Sequence, residues 1–167
     1  MKLKDFDFRI AKPKNKQGGY NSCSNDECVC NTPFLYGDEA KYRLGEFIDN
    51  GNGSIELWSG FYDSKGTKIY EGDIVKYDSN TRPLVAVFEK NTFYIVDTSI
   101  EKDLQVDCGT RLQGIYDNRS NGYTNQKLEC LEVLGNIHEN AELLKTEKVL
   151  IKTKYRDMYD SKGFPKY

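Results

Sequence analysis

At 167 residues, 38% hydrophobic and 30% charged, the chain is long enough for one domain with a real core and too short for two comfortable ones. No apolar run approaches the roughly 20 residues that span a bilayer, and the charged start Met1–Asp5 is unlike a signal peptide, so a cytoplasmic protein is expected. The net charge of −2 hides basic ends of +4 each, at residues 1–16 and 145–167, around a middle of −10; a body this acidic argues against a general nucleic-acid surface.

Residues 3–10 set Leu3, Phe6, Phe8 and Ile10 among charges and predict a first strand. Lys12 to Pro33 is loop-like, with two prolines, a Gly-Gly pair and many Asn and Ser. Asp38 to Leu44 predicts one or two helical turns capped by Asp38. Asn50-Gly51-Asn52-Gly53 is a break that leads into Ile55-Glu56-Leu57-Trp58.

Leu57 to Tyr77 organises the chain. It reads as strand, hairpin, strand, tight turn, strand. Asp63-Ser64-Lys65-Gly66 is turn chemistry between two apolar-aromatic runs, and Gly66 suits the left-handed position of a bulged hairpin. Gly72, between Glu71 and Asp73, suits a second turn with a positive φ. Ile74 to Tyr77 is rich in β-formers.

Leu84–Phe88 and Thr92–Val96 predict a hairpin about Lys90-Asn91, apolar on both faces. A small barrel fills its inside with one face only, so the outer face needs cover from another segment or a partner. Residues 98–127 read as an insert, with turn chemistry through Asp117-Asn118-Arg119-Ser120-Asn121-Gly122. Leu128 to Ile137 predicts the closing strand, with Gly135 at a bulge or close approach. Asn140 to Leu144 predicts a short helical turn with Asn140 as its N-cap. Residues 149–155 predict a further strand in the basic tail.

Two blocks carry a family resemblance. One is the aromatic-x-Gly-x-x-Asp-x-x-Gly pattern from Trp58 to Gly66, followed by Ile69-Tyr70-Glu71-Gly72-Asp73-Ile74-Val75. The other runs from Leu131 to Leu144, with His138 where the family usually has Tyr and Ala141 where it has Pro. Phe6 to Ile10 is a looser match. These blocks resemble the YopX family of phage and prophage proteins. The resemblance implies a mainly β chain, a small SH3-like barrel with an N-terminal strand, one or two short helices and a C-terminal strand-like extension. It transfers no catalytic residue and says nothing about the insert. The expected organisation is a single domain 1–167: an N-terminal strand and Cys-containing loop (1–50), the barrel (55–144, insert 98–127) and the basic extension (145–167).

Candidate sites divide between binding and structure. Trp58, Tyr62, Tyr70 and Tyr77 could form an aromatic face of the kind that binds peptides or nucleic acid; cross-strand packing is the alternative and suits Trp58 and Tyr77 better. Tyr62 and Tyr70 flank turns expected to be exposed. Cys23, Cys28 and Cys30, with Cys108, Cys130 or His138, could offer thiolates to zinc, but the spacing lacks Cys-x2-Cys knuckles. The reading is therefore free thiols and no metal. His138, the one histidine, reads as a surface or packing residue rather than a base. Asp63, Glu71 and Asp73 could bind a cation, but aspartate at a turn more often bonds its own backbone.

No phosphate loop, nucleophile elbow or metal-ligand helix is present in the sequence. With the phage and bacterial-host setting that the family resemblance implies, the expectation is a non-enzymatic interaction protein of phage or prophage, without a cofactor, in the cytoplasm of a bacterial host. From the family's setting, and from no residue here, its partner would be a host or phage protein, such as a host defence factor. Self-association and docking of the tail through Val149, Ile151 and Tyr155 are expected with it. A nucleic-acid-binding module and a zinc-stabilised structural domain are the alternatives.

Overall fold

A computed structural model describes residues 6–14, 20, 32–48, 53–78, 82–119 and 125–145. The fold is mainly β, in two antiparallel sheets, one of them a curled half-barrel. Strands β1 (Phe8–Ala11), β2 (Phe34–Tyr36), β3 (Ser54–Tyr62) and β4 (Lys68–Tyr70) form a four-stranded sheet in the order β2-β1-β3-β4. Strands β5 (Asp73–Tyr77), β6 (Pro83–Glu89), β7 (Thr92–Val96), β8 (Thr110–Arg111) and β9 (Leu131–Asn136) form the second, in the order β8-β7-β6-β5-β9.

The chain passes from one sheet to the other at Glu71-Gly72, between β4 and β5. Gly66 and Gly72 take φ of +84° and +80°, as their turns require. Lys90 and Asn91 both have positive φ, closing the tight hairpin between β6 and β7. Gly135 sits beside the register shift between Ile74 and Val75; a Cβ there would lie 2.2 Å from Asn140 Oδ1.

The doubly apolar hairpin is covered on both faces. Ala86 and Ile95 join Phe61, Ile69, Val75, Leu128 and Leu131 in one core. Leu112 and Ile115 of helix α4 (Leu112–Arg119) complete it. On the opposite face Val85, Tyr94 and Val96 pack with Ile74, and Val106, Leu143 and Leu144 lie against them. Cover for the outer face thus comes from the insert and the 3-10 turn Ala141–Leu144. The tail residues Val149, Ile151 and Tyr155 lie outside the described residues.

Several local expectations need correction. The described residues hold four short helices rather than one or two: α1 (Gly37–Tyr42), α2 (Leu44–Ile48), α3 (Lys102–Gln105) and α4. The cap position of α1 is Tyr36, so Asp38 lies in the first turn, where its charge suits the helix dipole. Asp117, Asn118 and Arg119 continue α4, because Leu112 and Ile115 anchor that helix in the core and Gln113 bonds Asp117 one turn on. Asn140 occupies the cap position of the 3-10 turn, but its Oδ1 accepts the Asn136 N–H behind it.

Candidate functional site

Neighbouring strands pair Arg9 with both Tyr36 and Glu56, and Trp58 with Tyr70. Residues two apart share a face, so Arg9, Phe34, Tyr36, Glu56, Trp58, Lys68 and Tyr70 all project from one side of the four-stranded sheet. The other side carries Phe8, Ile10, Leu35 and Leu57, packed with Ala40, Leu44 and Phe47.

Arg9 is the hub. Its Nε donates to Glu56 Oε2 at 2.7 Å; its Nη2 donates to Asp73 Oδ1 at 2.7 Å and to the Glu71 carbonyl at 3.1 Å. The guanidinium lies 4.0 Å from the ring centre of Phe34 and 4.9 Å from that of Tyr70. Glu56 Oε1 is 2.5 Å from His138 Nε2, and the imidazole packs edge-on to Phe34. Asp73 Oδ2 accepts the Tyr70 N–H at 2.8 Å. The Tyr70 hydroxyl and the Lys68 ammonium both reach Asp7, and Lys68 also lies over Trp58.

Arg9, Glu56 and Asp73 are only 4%, 4% and 2% exposed. Buried ions cost several kcal/mol each unless paired and hydrogen-bonded; here each is both. Burial works against the Arg9 charge, but Asp73 and Glu56 outweigh it and hold the group above its usual range. Burial pushes Asp73 up to about 6, against the pull of Arg9 and the Tyr70 N–H. The same desolvation raises Glu71, Tyr36 and Tyr70.

A groove of about 540 Å³ opens above this cluster. Arg9 and Asp73 lie in its floor. Pro33, Phe34 and Tyr36 line one part, Thr67, Lys68 and Tyr70 another, and Val133, Gly135 and Asn136 of β9 contribute the rest. Tyr36, 49% exposed, stands edge-on to the buried Tyr70 ring at 5.8 Å. This is a surface with aromatic walls, one rim cation and a charged, rigid floor. It can grip a chain by stacking, cation–π contact and hydrogen bonds.

Of the aromatics singled out in the sequence, Trp58, Tyr62 and Tyr70 belong to one ladder, with Trp58 and Tyr62 ring to ring at 5.5 Å. Tyr77 packs on the apolar core instead. Tyr70 is buried, not exposed, because its backbone and hydroxyl bond Asp73 and Asp7. Tyr155 lies outside the described residues, as do Cys23, Cys28 and Cys30. Cys108 is exposed and Cys130 half-buried, both as thiols. Among the described residues no group of three His, Cys, Asp or Glu is placed to hold a metal ion.

The acidic trio separates. Asp63 is fully buried at the hairpin tip, where its carboxylate accepts the Lys65, Thr67 and Val133 N–H groups. Asp73 combines turn and cation roles, the cation being Arg9. Glu71 contributes its carbonyl. His138, read from the sequence as a surface or packing residue, belongs to the cluster through Glu56. Arg9, Glu56 and Tyr36 were not singled out at all. The one sequence signal for them is a charge alternating inside an apolar strand, in Phe8-Arg9-Ile10 and Ile55-Glu56-Leu57.

The family model described as YopX protein matches residues 11–145. The chain belongs to the YopX family. The match is wider than the two motif blocks and takes in Glu56, Asp73 and His138. A comparison with curated proteins finds no match. No helix among the described residues of this YopX-family chain is long and apolar enough to cross a membrane.

Proposed function

We propose that this YopX-family chain is a non-enzymatic interaction protein of phage or prophage. It acts in the bacterial cytoplasm by gripping a host or phage protein, such as a defence factor, in the groove above Arg9. The observation that carries this reading is the groove itself: aromatic walls at Phe34, Tyr36 and Tyr70 over a floor fixed by ion pairs. A preorganised surface gains affinity because little ordering is left to do on binding. The non-enzymatic reading is supported by how the polar groups are used. Arg9, Glu56, Asp73 and His138 bond one another, and their geometry serves the fold.

The test is affinity capture from a bacterial host with the full chain and with Tyr36→Ala, followed by a titration of the purified captured protein. Truncating a central aromatic anchor costs 2 kcal/mol or more at an interface. Tyr36→Ala should therefore weaken binding at least about tenfold and leave the melting temperature almost unchanged, since Tyr36 is half exposed. A captured protein that binds Tyr36→Ala equally well, or the capture of none, overturns this reading.

A further inference from the structure

β4 and β9 are outermost strands of their sheets, and both line the groove. At one end the hairpin tip stitches the sheets together: the Ser64 N–H bonds the Leu131 carbonyl, and Asp63 takes the Val133 N–H. At the other end the Ile137 N–H bonds the Gly72 carbonyl. Between these stitches, among the described residues, no ladder joins β4 to β9. The seam is open there.

The two edges differ in what they leave over. On β9 the chain uses its own outward groups: Asp63 takes the Val133 N–H, and Asn140 bonds both the N–H and the carbonyl of Asn136. On β4 the Glu71 N–H bonds Leu57 and the Thr67 carbonyl bonds Asp63, so both point inward, to β3. Alternation then turns the backbone groups of Lys68 and of Tyr70 outward. Asp73 takes the Tyr70 N–H. One donor, at Lys68, and two acceptors, at Lys68 and Tyr70, remain on an edge where no strand lies among the described residues. An extended backbone matches groups at that spacing, and such an edge is a template for an added strand.

Side chains say what the strand should carry. A residue opposite Lys68 stands on the face that Lys68 shares with Tyr70. Arg9 is buried and held by Glu56 and Asp73, whereas the Lys68 side chain is 38% exposed. Lys68 bonds Asp7, but an ammonium has three donors. An acidic residue opposite it gains a cross-strand ion pair, and a basic one meets like charge.

We propose that the partner enters the groove as an extended peptide segment, added as a strand on β4, with an acidic residue opposite Lys68. This rests on the groove being the partner site and names the form in which the partner is held.

The experiment selects binders from a library of random linear peptides on the immobilised full chain. The tightest peptide is then titrated with each of its backbone amides N-methylated in turn. Only the amides that donate to the Lys68 and Tyr70 carbonyls should matter. Methylation should weaken binding about tenfold at two amides that lie two residues apart, and have almost no effect at the amide between them. Replacing the acidic residue of the peptide by Lys should weaken binding several-fold. Saturating peptide should slow exchange of the Lys68 amide about tenfold and leave the core amide of Ala86 unchanged. Each of four results overturns the proposal: no peptide enriched, methylation effects without that spacing, tighter binding with Lys in place of the acid, or an unchanged Lys68 amide. None of them alters the Tyr36→Ala comparison on the captured protein, so failure of strand addition and failure of the groove as a partner site are told apart.

Discussion

Two buried aspartates, ten residues apart, close the two turns of the central stretch and do so by different means. Asp63 sits at the hairpin tip and is held by backbone dipoles: three N–H groups, two of them within four residues. Asp73 sits at the crossover between sheets and takes one N–H and an arginine from a strand 64 positions earlier. The first carboxylate finishes a local turn and stitches it to β9. The second holds the four-stranded sheet against the five-stranded one. A turn residue can therefore serve the chain near it or the chain far from it, and the identity of the donor decides which.

Removing the distant donor should have the largest effect. Arg9→Met leaves Glu56 and Asp73 buried without their cation, a change that costs about 3–5 kcal/mol. Chemical denaturation should show that loss, and Glu56→Gln with Asp73→Asn in the same chain should recover most of it. A loss below 1 kcal/mol would mean that the cluster contributes little to joining the sheets.

Asp63→Ala comes next, because it strips three N–H groups of their acceptor at once. Each unsatisfied buried donor costs about 1–3 kcal/mol. Water reaches the tip beside exposed Lys65 and Thr67, so the sum should be about 3 kcal/mol, most of it from Val133. Unlike Arg9→Met, this loss should not be recovered by neutralising any carboxylate of the cluster.

The difference between the aspartates also explains what could be read from the sequence. Asp-Ser-Lys-Gly announces a turn, and the local donors of Asp63 follow from that turn alone. So do the hairpin at Lys90-Asn91 and the positive φ of Gly66 and Gly72. Arg9 was illegible for the opposite reason. A charge between Phe8 and Ile10 reads as the solvent side of a strand, and its partners lie 47 and 64 positions away. His138 and Glu56 are 82 apart. The α4 helix failed differently, since Asp117-Asn118-Arg119 has turn vocabulary and the packing of Leu112 and Ile115 overrides it.

The pH response should test the Asp73 end of the comparison further. Burial raises Asp73 from 3.8 to about 6, so the folded protein holds that proton more tightly than the unfolded chain does. Stability from this group is therefore full below pH 3.8 and falls as pH rises through 6. At 1.36 kcal/mol per unit the fall is of order 2–3 kcal/mol. Asp73→Asn should remove that slope when melting is followed across the window and compared with the parent. The remaining slope, to which Glu71 contributes in the same direction, should be unchanged. An identical slope in parent and variant would show that Arg9 keeps Asp73 ionised throughout.

The smallest effects belong to the glycines of the same two turns. Gly66 and Gly72 have nearly equal positive φ, so alanine at either meets a backbone strain of about 1–2 kcal/mol. The surroundings differ. A Cβ at Gly66 meets open space, whereas one at Gly72 would lie 3.0 Å from Glu56 Oε1, the oxygen that faces His138. Gly72→Ala must therefore shift a carboxylate whose place is fixed by Arg9, and should cost about 1 kcal/mol more than Gly66→Ala. The excess should vanish in a Glu56→Ala background, where both glycines retain only their backbone strain. Equal losses for the two alanines in the parent protein would mean that Glu56 can yield. The crossover turn would then be no more tightly tied to the cluster than the hairpin tip is.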